Sequence, residues 1–307
     1  MPGSSPPQRP IRAAAIEPAL DALRAHAPEG VEVLLADDTT DLETFDFLVA
    51  GSVYPQMLER MPALTRLAVV QVLSAGTDWV EPYVPPQVTL CNARGTRDAP
   101  VAEWVVGALL GVSTRLLECA RIHTWTKRQL VDLGGWTVLI VGMGSIGRRV
   151  AQYLAPLGTQ VVGVASRARE DLRGIDELPA LLPGADAVVV LAPLTDATRG
   201  LIGARELAAM RDGAVLVNAA RGAVVDTDAL VAEVSTGRLQ AVLDVTDPEP
   251  LPDDHPLWSA PGVVSITPHI AGDSPAGNAR AAELAGEQLA RFCAGEELHN
   301  IVRRGTG

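Results

Sequence analysis

Only one of the 25 basic residues is lysine, Lys127; the rest are arginine, a bias of genomic base composition and not of function. Acidic residues outnumber basic ones, leaving a net charge of −12 over 307 residues. That balance argues against nucleic acid and against an anionic membrane surface as partners, and it obliges any anionic ligand to find local arginines. Cysteine is scarce: Cys91, Cys119 and Cys293 are odd in number, far apart and set in apolar segments. They read as reduced core residues of a cytoplasmic protein, not as a metal site or disulfide framework. No apolar run reaches membrane-spanning length, since the nearest, 101–112, is interrupted by Glu103. The opening MPGSSPPQRP has no apolar signal core, so residues 1–10 read as a disordered leader.

What remains is an ordinary globular composition, 48% hydrophobic and 20% charged, with ample core for one large or two medium domains. Short apolar runs alternate with helical segments. Strands are expected at 11–17, 31–35, 45–50, 67–73 and 88–91, with helices at 19–26 and from 55. A long apolar helical stretch, 100–124, is expected to bridge two domains or to lie in a subunit interface. Further strands are expected at 138–141, 160–165, 186–191, 214–218, 239–244 and 263–266, and a helix at 274–293 that packs back on the N-terminal region. This alternation predicts an α/β protein of parallel sheets covered by helices on both faces. The expected boundaries are a substrate domain, 11–96 with 275–307, and a dinucleotide-binding domain, 97–274.

The sharpest motif is VLIVGMGSIG at 138–147. Four apolar residues read as a central parallel strand, then Gly142, Gly144 and Gly147 fall at G-x-G-x-x-G spacing, and a helix follows over 146–157. Gly142 permits the tight turn, Gly144 lets a pyrophosphate approach the backbone, and Gly147 lets helix and strand pack closely. The amides of Ser145 and Ile146 at the helix start are candidate anion donors. A glycine turn binding S-adenosylmethionine is the competing reading of these glycines alone.

Three polar residues stand directly after buried strands or in the loops beyond them: Arg221, Glu249 and His269. Taken singly, each is a surface cap or a loop residue. Together they supply an anion clamp, a proton donor, and a carboxylate to hold that donor protonated. Carbonyl reduction needs a proton at the developing alkoxide, and histidine is the usual source. Earlier in the chain, Ser74-Ala75-Gly76-Thr77-Asp78 follows a strand and could turn the amides of Ala75 and Gly76 toward an anion.

These segments resemble the D-2-hydroxyacid dehydrogenase family, which includes glyoxylate/hydroxypyruvate reductases and phosphoglycerate dehydrogenase. The matching pieces are SAGTD at 74–78, VAE at 101–103, GMGSIG at 142–147, LAPLTDATRGLI at 191–202, VNAARGAVVD at 217–226, LDVTDPEPLP at 243–252 and TPHIAG at 267–272. The resemblance implies a Rossmann-type nucleotide-binding domain beside a smaller flavodoxin-like α/β substrate domain, and a homodimer formed through 100–124. It implies Arg221 as substrate-binding arginine, Glu249 as carboxylate partner and His269 as catalytic acid/base. Ala75 and Gly76 would receive the substrate carboxylate, Asp244 would hold the nicotinamide carboxamide, and Thr195 and Ala219 would lie along the cofactor. Glu249 argues against formate dehydrogenase, where the resemblance would require glutamine. Thr246 departs from the family, which commonly has an aromatic residue there. Three alternatives stand beside this reading: a nucleotide-sensing corepressor-like protein of the same fold, an NAD-dependent phosphoglycerate dehydrogenase-like enzyme, and an enzyme using phosphite, which the lack of a lysine beside residues 74–78 disfavours.

Cofactor choice follows from charge. NAD sites usually end their second strand in a carboxylate that binds the ribose 2′-hydroxyl. Here that strand runs into Val164-Ala165-Ser166-Arg167-Ala168-Arg169, while Glu170 and Asp171 come too late. Ser166 and Arg167 suit a 2′-phosphate, so NADP(H) is expected over NAD(H). The expected reaction is reduction of a small 2-oxo acid to its 2-hydroxy acid.

Overall fold

The computed structural model describes residues 10–169 and 171–306; residues 1–9 of the expected leader at 1–10, Glu170 and Gly307 lie outside the described residues. The chain divides into two compact units, Met1–Arg97 with Pro275–Gly307, and Asp98–Ser274.

The first unit opens with β1 (Arg12–Ala15), α1 (Glu17–His26), β2 (Glu32–Leu35), β3 (Phe47–Ala50), α2 (Pro55–Arg60), β4 (Val69–Val72) and β5 (Thr89–Cys91). Its sheet is ordered β2-β1-β3-β4-β5, all parallel, which is the flavodoxin-like order. The central β3 and β4 are buried on both faces, as parallel strands covered by helices must be.

The second unit begins with α3 (Asp98–Ser113) and α4 (Leu116–Cys119), followed by β6 (Thr137–Val141), α5 (Ser145–Leu154), β7 (Gln160–Ala165) and β8 (Arg173–Gly174). Next come α6 (Leu178–Leu181), β9 (Ala187–Val190), α7 (Ala204–Ala209), β10 (Val215–Asn218), α8 (Thr227–Ser235), β11 (Gln240–Leu243) and β12 (Val263–Ile266). The seven strands are ordered β8-β7-β6-β9-β10-β11-β12 and all run parallel, so every carboxyl end faces one edge. That is the Rossmann order, reversing between β6 and β9, where nucleotides bind in sheets of this kind. One face is covered by α3 and α5 through Val105, Leu109, Val150 and Leu154. The other is covered by Leu178, Leu207, Leu230 and Val234 from α6, α7 and α8.

The chain then returns to the first unit through α9 (Pro275–Ala294) and β13 (Ile301–Arg303), which pairs antiparallel with β5. α9 lies along α1 so closely that a Cβ on Gly286 would stand 2.7 Å from the Ala22 carbonyl oxygen. His26 Nε2 reaches Glu283 at 3.1 Å across the same seam.

Several expectations need correction. The stretch 100–124 is not one helix: α3 ends at Ser113, because Arg115 adopts a left-handed φ of 56° and the chain folds back. Leu117 then packs against Gly111, where an added Cβ would meet it at 2.7 Å. Within the second unit α3 packs against α5 and β10, while Trp104, Val106 and Leu110 on it stay half-buried. Cys91 is buried and Cys293 half-buried, but Cys119 is exposed on the short α4 and is no core residue. The helix after the glycine turn ends at Leu154, where the proline of the Ala155–Leu157 turn stops it. No helix among the described residues is long and apolar enough to cross a membrane.

Candidate active site

The glycine turn joins β6 to α5 at the carboxyl edge. Gly142 has φ +108°, and a Cβ there would meet the Ala192 amide nitrogen at 2.4 Å. A Cβ on Gly147 would strike the Gly142 carbonyl oxygen at 2.6 Å, so these two positions admit only glycine. Gly144 differs: nothing lies within 4 Å of its would-be Cβ, which leaves open space over the backbone. α5 starts at Ser145 with no side-chain cap, so its first amides, those of Ser145, Ile146 and Gly147, are offered outward. Tight glycines on either side of an open one, before an uncapped helix start, fit the pyrophosphate of a dinucleotide.

β7 ends at Ala165 and is followed by exposed Ser166 and Arg167. Asp171 pairs with Arg148 at 3.4 Å, while the Arg167 side chain has no ionic or hydrogen-bonding partner among the described residues. Across the switch point, Thr195 lies in the loop after β9, where its amide donates to Thr198 Oγ1 at 2.8 Å. Ala219 directly follows β10, its amide bonded to the Val190 carbonyl at 3.2 Å.

The loops after β10, β11 and β12 hold the polar set. Asn218, buried at the end of β10, shapes the first: its Nδ2 donates to the Arg221 carbonyl at 3.1 Å and its Oδ1 accepts from the Ala220 amide at 3.1 Å. The Arg221 guanidinium donates to the Ala220 carbonyl at 2.8 Å. At the next residue, a Cβ on Gly222 would stand 2.0 Å from the Thr246 carbonyl. The arginine loop is therefore pressed onto the segment leading to Glu249. Thr227 Oγ1 ties the same segment by donating to the Asp247 carbonyl at 2.7 Å.

Glu249 Oε1 lies 2.6 Å from His269 Nδ1. With side-chain exposures of 41% and 46%, both groups remain reachable. His269 has φ +56°, an uncommon conformation for a residue with a Cβ. The loop is held there by Asp244, which is buried. Its Oδ1 accepts from Thr267 Oγ1 at 2.6 Å and the Ile270 amide at 2.8 Å, and its Oδ2 from the Ala271 amide at 2.9 Å. The Asp244 carbonyl also accepts the His269 amide at 2.8 Å. Glu249 and His269 are thus brought together, whereas the Asp244 carboxylate is engaged by the histidine loop itself. Asn218, Gly222 and Thr267 carry no site signal of their own in the sequence, since their roles depend on contacts that form only when the loops fold.

The first unit carries the other candidate. After β4, Ala75 is exposed and Gly76 half-exposed, and neither amide donates to an acceptor among the described residues.

Residues 109–271 match the family model described as D-isomer specific 2-hydroxyacid dehydrogenase, NAD binding domain. A glyoxylate reductase of Aeropyrum pernix is 32% identical over 302 residues, 91% of this chain and 88% of that protein. A D-isomer specific 2-hydroxyacid dehydrogenase of Xanthobacter autotrophicus, solved with NADPH and MES, superposes with a TM-score of 0.82 at 29% identity, covering 95% of this chain and 98% of its own. An NADPH-dependent glyoxylate/hydroxypyruvate reductase of Sinorhizobium meliloti, solved with NADP and sulfate, gives 0.81 at 28% identity, covering 96% and 98%.

Proposed function

The chain belongs to the D-isomer specific 2-hydroxyacid dehydrogenase family, and on that premise we propose that it reduces a small 2-oxo acid of the glyoxylate or hydroxypyruvate type to the D-2-hydroxy acid, using NADPH. It is an NAD(P)-dependent oxidoreductase. The observation that carries the reading is the 2.6 Å pair of His269 Nδ1 and Glu249 Oε1 at the carboxyl edge of a Rossmann sheet.

The dinucleotide would be held by Gly142, Gly144, Ser145, Ile146 and Gly147, by Thr195 and Ala219 along its length, and by Ser166 and Arg167 at a 2′-phosphate. When bound, it supplies the hydride. The protein's part is proton transfer and charge. Glu249 accepts from Nδ1 of His269 and so fixes the ring with Nε2 facing outward. A protonated Nε2 then delivers its proton to the carbonyl oxygen as negative charge develops there. Arg221 pairs with the substrate carboxylate in two-point fashion and polarises the adjacent carbonyl. In the first unit, the amides of Ala75 and Gly76 are the candidate donors for a carboxylate.

Arg167 carries the cofactor reading, since no carboxylate ends β7 and Asp171 is paired with Arg148. Steady-state kinetics over a panel of 2-oxo acids with both cofactors is the test. NADPH should give the higher kcat/KM, and Arg167→Ala should raise the NADPH KM about ten-fold, one charge-assisted contact, with little effect on NADH. A higher kcat/KM with NADH overturns the cofactor choice. Self-association through the α3 region and residence in the cytoplasm complete the proposal.

A further inference from the structure

The turn after β4 has an unusual hydrogen-bond economy. The Ser74 carbonyl accepts the Ala93 amide at 2.9 Å. The Ala75 carbonyl accepts Asn92 Nδ2 at 2.7 Å, and the Gly76 carbonyl accepts Ser74 Oγ at 2.7 Å. Three successive carbonyls are therefore each taken by a donor. In a trans peptide the N–H points opposite to the C=O of the same planar unit, so a held carbonyl also aims the next amide. The amides aimed in this way are those of Ala75, Gly76 and Thr77, and none donates to an acceptor among the described residues.

The clamps are themselves braced. Asn92 Oδ1 accepts the Arg94 amide at 3.1 Å, which leaves the amide group of Asn92 only one orientation, with Nδ2 on the Ala75 carbonyl. The Asn92 backbone amide donates to the Asn300 carbonyl at 3.1 Å, and Asn300 Nδ2 donates to the Arg94 carbonyl at 3.0 Å. Ser74 Oγ in turn accepts Trp79 Nε1 at 3.2 Å.

We infer that Asn92 is a positioning residue for carboxylate recognition, acting by holding the 75–76 peptide so that the Gly76 amide is presented to the substrate carboxylate. Ser74 does the same for Thr77, adding a third donor to the two already assigned. This rests on the reading that the 74–78 turn receives the carboxylate of a 2-oxo acid. The contribution is specific to that group: a neutral α-dicarbonyl such as methylglyoxal offers no anion to the amides, so its reduction does not draw on the clamp.

The test compares glyoxylate with methylglyoxal in the intact enzyme carrying Asn92→Ala, Asn92→Asp or Gly76→Pro, with NADPH affinity read by fluorescence as the check on folding. Asn92→Ala should raise the glyoxylate KM about ten-fold, the scale of one hydrogen bond to a charged group, while kcat falls less. Selectivity for glyoxylate over methylglyoxal should fall by the same factor. Asn92→Asp, isosteric but repelling the Ala75 carbonyl, should lose at least as much. Gly76→Pro deletes the N–H itself and tests the underlying reading. If Gly76→Pro raises the glyoxylate KM and both Asn92 variants leave the selectivity unchanged, the role of Asn92 is refuted while the turn keeps its function. If Gly76→Pro binds NADPH normally and also leaves selectivity unchanged, the turn does not bind the carboxylate and both fall.

Discussion

His269 Nδ1 and Glu249 Oε1 lie 2.6 Å apart, although twenty residues separate them and they stand on loops after different strands. The pair determines which ring nitrogen is free. Replacing His269 with alanine should lower kcat by about two to four orders of magnitude, the usual scale of general acid catalysis, with NADPH affinity nearly unchanged. Glu249→Gln keeps the shape and loses the charge, and should lower kcat by about ten-fold or more. Full turnover in His269→Ala would remove its assigned role.

Asp244 presents two carboxylate oxygens to three donors of the histidine loop. Asparagine can satisfy only one side and sets an NH2 against either the Ala271 amide or the other two donors. Asp244→Asn should therefore cost about 1–3 kcal/mol of stability and reduce kcat, because the loop would no longer hold His269 at its left-handed φ. Thermal unfolding and kcat measured on the same variant check both parts.

Gly222→Ala drives a methyl group into the Thr246 carbonyl at 2.0 Å, between the loops of Arg221 and Glu249. Overpacking of this kind costs about 1–3 kcal/mol, and kcat/KM should fall as the loops separate. Gly107 on α3 is the contrast, since nothing lies within 4 Å of its would-be Cβ. Gly107→Ala should raise stability by about 0.5–1 kcal/mol without touching kcat. Equal melting temperatures for the two variants would contradict the packing argument.

Burial pushes the Cys91 thiol up from 9.0 to about 11. The folded state thus favours the protonated thiol. The stability this contributes is intact below the unfolded value and is lost as pH rises from near 9 through about 11. Denaturant titrations between pH 8 and pH 11 should show a steeper alkaline loss in the native protein than in Cys91→Ala. At pH 8 a thiol reagent should modify exposed Cys119 first, while Cys91 waits for unfolding.

Much of this molecule is written locally. Uninterrupted apolar runs such as Val138–Val141 announce buried parallel strands, and their alternation with helices implies a doubly wound sheet. Gly142, Gly144 and Gly147 carry their meaning in their spacing, as do Arg221, Glu249 and His269 in their positions after strands. Weaker signals failed where they were short or contextual. β8 spans two residues and β13 three, too few for a period to show, and both exist because a neighbouring strand offers them an edge. The end of α3 depends on Arg115 turning left-handed, which no composition signals.

The sequence alone determined which chemistry is available: an open glycine turn, an arginine, a histidine, a carboxylate, and no acid after the second strand. Tertiary structure alone decided how those groups are aimed. Asp244 reaches residues 23 to 27 positions away, and Asn92 reaches back 17 to Ala75. Such bonds depend on strand register and loop path, which are set when the sheets assemble and cannot be read from neighbouring residues.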